Sequence, residues 1–224
     1  MSAIKERPIL FNGPMVRAIL EGRKTVTRRA VKPQFQTAPI DVVDGVPSWD
    51  SPTNYAGEVQ MNTQRGKSCP YGQRGDRLWV REAWVADAQV NAIAPRYLSQ
   101  GEPNLYPADG SARQTGCAMI APGKGRPSIH MPRWASRILL EITDVRVERL
   151  QDISEEQALA EGIVGVAFRP DDGFPICTGY MVGPDDGKSV LETTAAKAFA
   201  KLWQSTGGDW DANPWVWVVE FRRV

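Results

Sequence analysis

The chain has little that would support metal binding or disulfide cross-linking. It contains three cysteines, Cys69, Cys117 and Cys177, at wide spacing, and a single histidine, His130. An odd number of distant cysteines predicts free thiols in a reducing compartment, so we expect a cytoplasmic protein. None of these residues has the short spacing that gives a zinc site its local rigidity, so we predict that no metal is bound.

Long apolar runs and the common cofactor motifs are also missing. No stretch reaches the ~20 apolar residues that a membrane-spanning helix needs, and the first residues lack the apolar region of an export signal. The patterns G-x-G-x-x-G, G-x-S-x-G, H-E-x-x-H and the phosphate-binding P-loop do not occur. We therefore expect a soluble chain with no cofactor and no membrane partner.

The charge of the whole chain is nearly balanced, at +1 over 224 residues. This length predicts one domain over 1–224, and the balance means that any attraction to nucleic acid must be local. Positive residues do cluster in two places, at Arg23, Lys24, Arg28 and Arg29 and at Arg74, Arg77 and Arg81. Either cluster alone also fits a solvated charged face.

Helix signals occur at three places. The first helix is predicted over 14–22, with Asn12 or Gly13 as its cap and Gly22 as its end. The second is predicted over 154–162, where Ser154 and Gln157 match a capping box. The third is predicted over 193–204, with an apolar side that includes Trp203.

Strand signals occur at 75–84, at 136–150 and at the C-terminal end of the chain. The last strand is apolar on both faces, which predicts a central position in a sheet. The stretches at about 31–68 and 91–128 lack apolar periodicity and are interpreted as insertions, and the stretch from Gly165 to Gly187 is interpreted as a loop. This mixture predicts an α+β fold, a small barrel closed by the C-terminal strand.

Three segments, in this order, resemble the ASCH family of the PUA-like superfamily: AILEGRKTVTRRA at 18–30, GDRLWVRE at 75–82 and LQDISEEQALAEGI at 150–163. The first matches the family pattern I-L-x-G-x-K-T-x-T-x-R, and the C-terminal strand ending VVEF that follows is part of the resemblance. The stretches LWVREAW and NPWVWVVEF are similar to those of ASCH proteins carried by phages. The resemblance implies a small PUA-like β-barrel with flanking helices and two long loop insertions.

The resemblance also implies a site. The ASCH proteins that this chain resembles include bacterial N4-acetylcytidine amidohydrolases, whose catalytic lysine, threonine and glutamate match Lys24, Thr27 and Glu161. An uncharged lysine amine can activate a threonine hydroxyl if burial and nearby positive charge lower its pKa. Glu161 could hold the substrate amide, orient the lysine or pass a proton to the leaving amine. The implied function is metal-independent amide hydrolysis of an N-acylated cytidine-type nucleoside.

The alternative is an RNA- or DNA-binding module or a ribonuclease of the same superfamily, including one that recognises modified nucleic acid. A structural phage component is a third hypothesis. Arginines beside exposed tryptophans are typical of proteins that bind single strands. The candidate binding residues are Arg23, Arg28, Arg29, Arg77, Trp79, Arg81, Arg133 and Trp134. The expected partner is a nucleoside or a single-stranded nucleic acid, and the oligomeric state is not predicted.

Overall fold

The computed structural model describes residues 3–35, 41–43, 46–55, 58–66, 68–114, 116–170, 173, 175–183 and 187–224. In chain order its strands and α-helices are β1 (Glu6–Leu10), α1 (Gly13–Leu20), β2 (Val26–Ala30), β3 (Asp41–Val43), β4 (Val46–Tyr55), β5 (Glu58–Arg65), β6 (Arg77–Arg81), β7 (Trp84–Asp87), β8 (Asn104–Tyr106), β9 (Ser111–Arg113), β10 (Pro122–Arg126), β11 (Leu139–Arg149), α2 (Glu155–Ala160), β12 (Ile163–Phe168), β13 (Cys177–Val182), α3 (Ala195–Ser205) and β14 (Trp215–Arg223). Strands in several sheets, with few helices, confirm the α+β class.

The largest sheet has five strands in the order β1-β6-β11-β14-β2. The pair β1 and β6 is parallel, and the other pairs are antiparallel. The C-terminal strand lies between two neighbours, and both Val218 and Val219 on its opposite faces are fully buried. The prediction that this strand is central is confirmed, because a strand with apolar side chains on both faces must be covered on both.

Segments predicted to be irregular contain further strands. The stretch 91–128 contributes β8, β9 and β10 to a four-stranded sheet with β7, and the predicted loop at 165–187 contains most of the hairpin β12–β13. The stretch 31–68 contains the three-stranded sheet β3-β4-β5. Residues 36–40, 44–45, 56–57 and 67 of the first predicted insertion, residue 115 of the second, and residues 171–172, 174 and 184–186 of the predicted loop lie outside the described residues.

The helix ends follow the sequence signals. The side chain of Asn12 accepts a hydrogen bond from the backbone of Met15 at 3.0 Å and caps α1. Ser154 and Gln157 form the predicted capping box of α2, and Thr194 caps α3. These caps satisfy backbone N–H groups that have no partner inside the helix.

The two edge strands of the largest sheet approach one another. Among the described strands, pairing ends at β1 on one side and at β2 on the other, so no closed barrel is found. The gap is bridged by a side chain, since Nη2 of Arg29 on β2 donates to the carbonyl of Leu10 on β1 at 2.8 Å. The sheet is therefore curled enough to bring its edges within reach of one arginine.

The main core lies between this sheet and helices α1 and α3. Val16 and Ile19 of α1 and Phe199 and Leu202 of α3 are buried in one cluster with the sheet. A smaller cluster around Trp84 underlies the four-stranded sheet.

No helix among the described residues is both long enough and apolar enough to cross a membrane. Cys69, Cys117 and Cys177 are all free thiols, and only the first is buried.

Candidate functional site

A buried ion pair joins two residues that are 137 positions apart in the chain. Nζ of Lys24 lies 2.5 Å from Oε2 of Glu161, and the two side chains are only 0% and 2% exposed. The same nitrogen donates to the carbonyls of Val26 and Glu161, each at 2.8 Å. These three contacts use all three donors of a lysine ammonium group, so the charged amine is fully satisfied without water.

Local backbone structure explains why the pair can form. Lys24 follows the end of α1 at the corner that leads into β2, and Glu161 is the C-cap residue of α2. The corner is tied to the helix because the backbone N–H of Thr25 donates to the carbonyl of Ala160 at 2.9 Å. Gly162 has φ +101, and a Cβ there would lie 3.1 Å from Ala18. A glycine at this position therefore allows α1 and α2 to meet closely.

Arg28 adds a second cation to the buried cluster. Its Nη2 donates to Oε1 of Gln157 at 2.7 Å and to Oε2 of Glu148 at 3.2 Å, and its Nη1 lies 3.4 Å from Oε1 of Glu161. Gln157 also accepts from the backbone N–H of Ser154 as part of the capping box. One amide oxygen therefore couples the start of α2 to the guanidinium beside Glu161.

The electrostatic surroundings lower the pKa of Lys24. Burial of the ammonium is the main cause, and the charges of Arg29 and Arg28 act in the same direction. The charge and the hydrogen bond of Glu161 oppose this shift. A lysine with a lowered pKa gives up its proton more readily than an exposed one, which suits an amine that must act as a base.

Thr27 and Glu161 line one large cleft of about 1230 Å³. Thr27 is 1% exposed, and its backbone is fixed by pairing with Val219 of the central strand. Helix α3 and the chain after β2 both contribute residues to the lining of the cleft. The aromatic side chains of the lining are Phe35, Tyr71, Phe199, Trp203 and Trp217. A cavity that combines apolar walls with a few polar groups is typical of sites for small organic ligands.

Positive charge at this cleft comes from Arg29 and Lys32, in addition to the buried Arg28. The guanidinium of Arg29 lies over the ring of Phe11, with 5.4 Å between Cζ and the ring centroid. Burial raises the pKa of Tyr71, and the charge of Arg29 next to it opposes this shift. Arg23, which is predicted to bind substrate, does not line this cleft and pairs with Glu21 at 2.5 Å.

The remaining predicted binding residues lie outside this cleft. Trp79 is 8% exposed, and the guanidinium groups of Arg81 and Arg133 lie over its ring at 4.8 and 5.8 Å. Arg77 precedes Trp79 on β6 and pairs in register with Glu6 of β1. Trp134 packs edge-on against Trp84 in the smaller core cluster. The guanidinium groups of two arginines thus lie over the ring of Trp79, and little of that ring is accessible for stacking with a base.

Several cleft residues were not identified from the sequence as site residues. The sequence does not indicate a site role for Phe35 or Tyr71, and it predicts core positions for Trp203 and Trp217. Trp217 is 3% exposed, so it packs in the core and also lines the cleft. Aromatic residues near the Lys24 segment are the signal in the sequence that points to a cleft. The spacing of apolar residues alone does not distinguish a residue of a cleft wall from a residue of the core.

No group of three or more histidine, cysteine, aspartate or glutamate side chains in the described part of the chain could hold a metal ion. The described cleft therefore offers Thr27 and Glu161 as hydrogen-bonding and acid–base groups, and Lys24 contacts Glu161 without lining the cleft itself. Comparisons of the chain with protein-family models, with curated proteins and with solved structures find no match.

Proposed function

We propose that this protein hydrolyses the amide of an N-acylated cytidine-type base without a metal ion. The observation that carries the proposal is the buried pair of Lys24 and Glu161 at a cleft that Thr27 also lines. Buried charges are costly, so a buried lysine–glutamate pair at a cleft that also has a threonine in its lining is typical of sites that move protons. The aromatic walls suit a flat heterocyclic base.

In the proposed reaction, Oγ1 of Thr27 forms a bond to the acyl carbon and transfers its proton to the Lys24–Glu161 pair. The bond between the acyl carbon and the exocyclic nitrogen then breaks, and that nitrogen leaves as an amine after taking the proton. Water hydrolyses the resulting threonine ester, which releases the carboxylic acid and restores the hydroxyl. The atoms and charges balance without a further reactant.

The contacts of Glu161 favour one of its three possible roles. Its side chain lines the cleft and accepts a hydrogen bond from Lys24, whose own side chain is fully buried. We therefore assign the proton transfer to the leaving amine to Glu161, with Lys24 as the partner that supplies and recovers the proton. Arg28 holds the other carboxylate oxygen and keeps Glu161 in place.

We also propose that the fold is a PUA-like barrel of the ASCH type. Support comes from the curled five-stranded sheet, whose edge strands β1 and β2 are joined by the hydrogen bond between Arg29 and Leu10. The segments that resemble the ASCH family contribute β2, β6 and α2, and these elements carry Lys24, Thr27 and Glu161 or flank them.

The direct test is the release of cytidine from N4-acetylcytidine. Thr27→Ala, Lys24→Met and Glu161→Gln should each lower kcat/KM by at least about 100-fold, because general acid–base assistance is worth about 100- to 10,000-fold. Glu156→Gln is the matched control, since Glu156 is an exposed residue of the same helix. An acetyl adduct on Thr27 in quenched turnover samples, detected by mass spectrometry, would identify the nucleophile. If the wild-type protein is well folded but shows no turnover, N4-acetylcytidine is not its substrate.

A second candidate is binding of a single strand without chemistry. The large volume of the cleft and the positions of Arg29 and Lys32 on its lining favour it. Salt separates the two functions, because turnover of an uncharged nucleoside should be nearly independent of ionic strength. Strand binding should weaken steeply with salt, since each phosphate contact releases counterions.

A further inference from the structure

A second cavity, here called the side chamber, adjoins the main cleft and has a volume of about 360 Å³. The two cavities meet along four shared lining residues, Met15, Arg29, Tyr71 and Thr206. An acetyl group has a single methyl beyond its carbonyl carbon. Hydrolysis of an acetylated base therefore leaves the side chamber without an assigned occupant.

The wall of the side chamber is largely apolar. Its apolar members are Pro8, Ile9, Leu10, Phe11 and Met15. Among the described lining residues the charged one is Arg29, and its guanidinium is held by the carbonyl of Leu10 and lies over the ring of Phe11. Burial of apolar surface is a main source of binding free energy, so this wall favours an apolar group of a ligand.

Phe11 connects the side chamber to the buried pair. Its ring lines the side chamber, and Nζ of Lys24 lies 5.6 Å from the centroid of that ring. Arg29, which also lines the side chamber, follows Thr27 by two positions on β2. Residues i and i+2 of a strand project from the same face, so the side chamber lies on the Thr27 side of β2.

The geometry of an amide separates its two ends. An amide is planar and strongly prefers the trans form, which places the acyl substituent and the base on opposite sides of the C–N bond. In the proposed reaction the base lies in the main cleft, whose lining includes Phe199, Trp203 and Trp217, while other residues line the side chamber. With the acyl carbon at Oγ1 of Thr27, the acyl substituent then points away from these three rings and toward the walls that both cavities share.

We propose that the side chamber binds the acyl group of the substrate, and that the preferred acyl group is a larger apolar one, such as hexanoyl, rather than acetyl. This inference rests on the proposed hydrolysis and names its acyl group. When the bond to the exocyclic nitrogen breaks, the chain stays in the side chamber as the ester of Thr27 while the free base leaves. Water then cleaves the ester, which releases the carboxylic acid and restores the hydroxyl.

The experiment compares the release of cytidine from N4-acetyl-, N4-butyryl- and N4-hexanoylcytidine. Along this series kcat/KM should rise by about threefold to fourfold for each added methylene group, which is the gain expected when such a group is buried. N4-succinylcytidine carries a carboxylate at the end of a chain as long as butyryl. It should react more slowly than N4-butyrylcytidine, because the carboxylate must lose its hydration in an apolar chamber.

Two variants that fill the side chamber test its role. Leu10 is 44% exposed and Ser128 is partly exposed, and both line the side chamber, so Leu10→Trp and Ser128→Trp add bulk there without opening the core. Each should lower kcat/KM for N4-hexanoylcytidine at least roughly tenfold more than kcat/KM for N4-acetylcytidine, because the longer chain loses its space. Ile93→Trp is the matched control, since Ile93 is 41% exposed and lines neither cavity. It should leave the ratio of the two unchanged.

Binding measured without turnover supplies a second test. Thr27→Ala removes the hydroxyl that forms the ester, so calorimetric titration of this variant reports the affinity alone. It should bind N4-hexanoylcytidine more tightly than N4-acetylcytidine, and Leu10→Trp in the same background should abolish the difference.

The outcomes separate this inference from the proposed function. Equal kcat/KM along the acyl series, or a preference for succinyl over butyryl, would overturn the apolar acyl site and leave the hydrolysis intact. A preference for hexanoyl that persists in both Leu10→Trp and Ser128→Trp would show that the side chamber is not where the chain binds. Tighter binding of N4-hexanoylcytidine that Leu10→Trp abolishes, without turnover of any substrate by the wild-type protein, would support the site and overturn the hydrolysis. Absence of both turnover and a difference in binding would overturn both.

Discussion

Nζ of Lys24 and Oε2 of Glu161 lie 2.5 Å apart, in side chains that are 0% and 2% exposed. The pair is linked to Arg28, whose side chain is also fully buried. Two cations thus share one carboxylate in the interior, and Arg28 has Glu148 as a further partner. The removal of either member of the pair therefore leaves a buried charge without its main partner.

The first prediction concerns the coupling energy of this pair. Lys24→Met and Glu161→Gln should each reduce the free energy of unfolding by about 3–5 kcal/mol, because each leaves an uncompensated buried charge. The double variant should lose much less than the sum of the two. Urea denaturation of the four proteins gives the coupling energy. The exposed pair of Arg222 and Glu141 is the control and should give about 0–1 kcal/mol. Additive effects at Lys24 and Glu161 would contradict the buried pairing.

The second prediction concerns pH. Burial lowers the pKa of Lys24 below its ordinary value of 10.5, and Glu161 opposes the shift, so Glu161→Gln should lower that pKa further. Between the folded and unfolded pKa values the unfolded chain binds more protons, so the stability of the folded state rises with pH in this window. Below the folded pKa both states are protonated and this dependence ends.

The measurement for this prediction is urea denaturation between pH 7 and about pH 10, on Glu161→Gln and on the double variant Lys24→Met/Glu161→Gln. Glu161→Gln should gain stability relative to the double variant as the pH rises, because only the single variant retains the amine. Other titrating groups are common to both proteins and cancel in the difference. Parallel stability curves would show that Lys24 does not titrate in this range.

Much of the framework could be predicted because its signals are local. The Asn12 cap, the Ser154 and Gln157 capping box and the apolar C-terminal strand each depend on residues a few positions apart. The sequence predicts a loop from Gly165 to Gly187, where the structure has most of the hairpin β12–β13, whose strands contain Gly165 and Gly179. Its side chains do not alternate strongly enough between apolar and polar types to indicate a strand.

The site was harder to predict than the framework. The pairing of Lys24 with Glu161 joins α2 to the corner before β2, and no periodicity relates residues so far apart in sequence. Its candidates came from the family resemblance. The sequence does not predict the cleft walls, since Trp203 and Phe35 are far apart in the chain and share a lining only in the folded structure. The contact of Trp134 with Trp84 of β7 is likewise not predicted, and neither are β8, β9 and β10 of the same four-stranded sheet.

The third prediction concerns Cys69. Burial raises the pKa of its thiol from 9.0 to about 11, so the folded chain keeps the proton at pH values where the unfolded chain loses it. The free energy of unfolding therefore falls as the pH rises from 9. The stability that the buried thiol contributes is lost as the pH passes through about 11. The loss should approach about 1.4 kcal/mol per pH unit within that window.

Urea denaturation at several pH values tests the Cys69 prediction. The wild-type protein and Cys177→Ala should both lose stability with this pH dependence, because Cys177 is exposed. Cys69→Ala should start from a lower stability, since it leaves a small cavity, but should lack the added slope. A thiol reagent at pH 8 should modify Cys117 and Cys177 in the folded protein and all three cysteines after unfolding. Rapid modification of Cys69 in the folded state would refute its burial.

The fourth prediction gives Gln157 a positioning role. Its amide oxygen accepts from both Ser154 and Arg28, and Arg28 contacts Glu161. Gln157→Ala should cost about 0.5–2 kcal/mol through the lost cap and should also lower kcat with little change in KM, because Glu161 is held less firmly. Ser154→Ala removes the cap but leaves the contact with Arg28, so it should cost similar stability without affecting kcat.

A conservative variant separates positioning by Gln157 from simple destabilisation. Gln157→Glu retains a carboxylate oxygen for Ser154, since glutamate also completes a capping box, and it offers Arg28 a charged acceptor. It should therefore restore both stability and kcat relative to Gln157→Ala. Circular dichroism melting and cytidine release on the three variants supply the comparison. If kcat instead followed stability alone, with Ser154→Ala as impaired as Gln157→Ala, the link from α2 through Arg28 to Glu161 would have no part in the reaction.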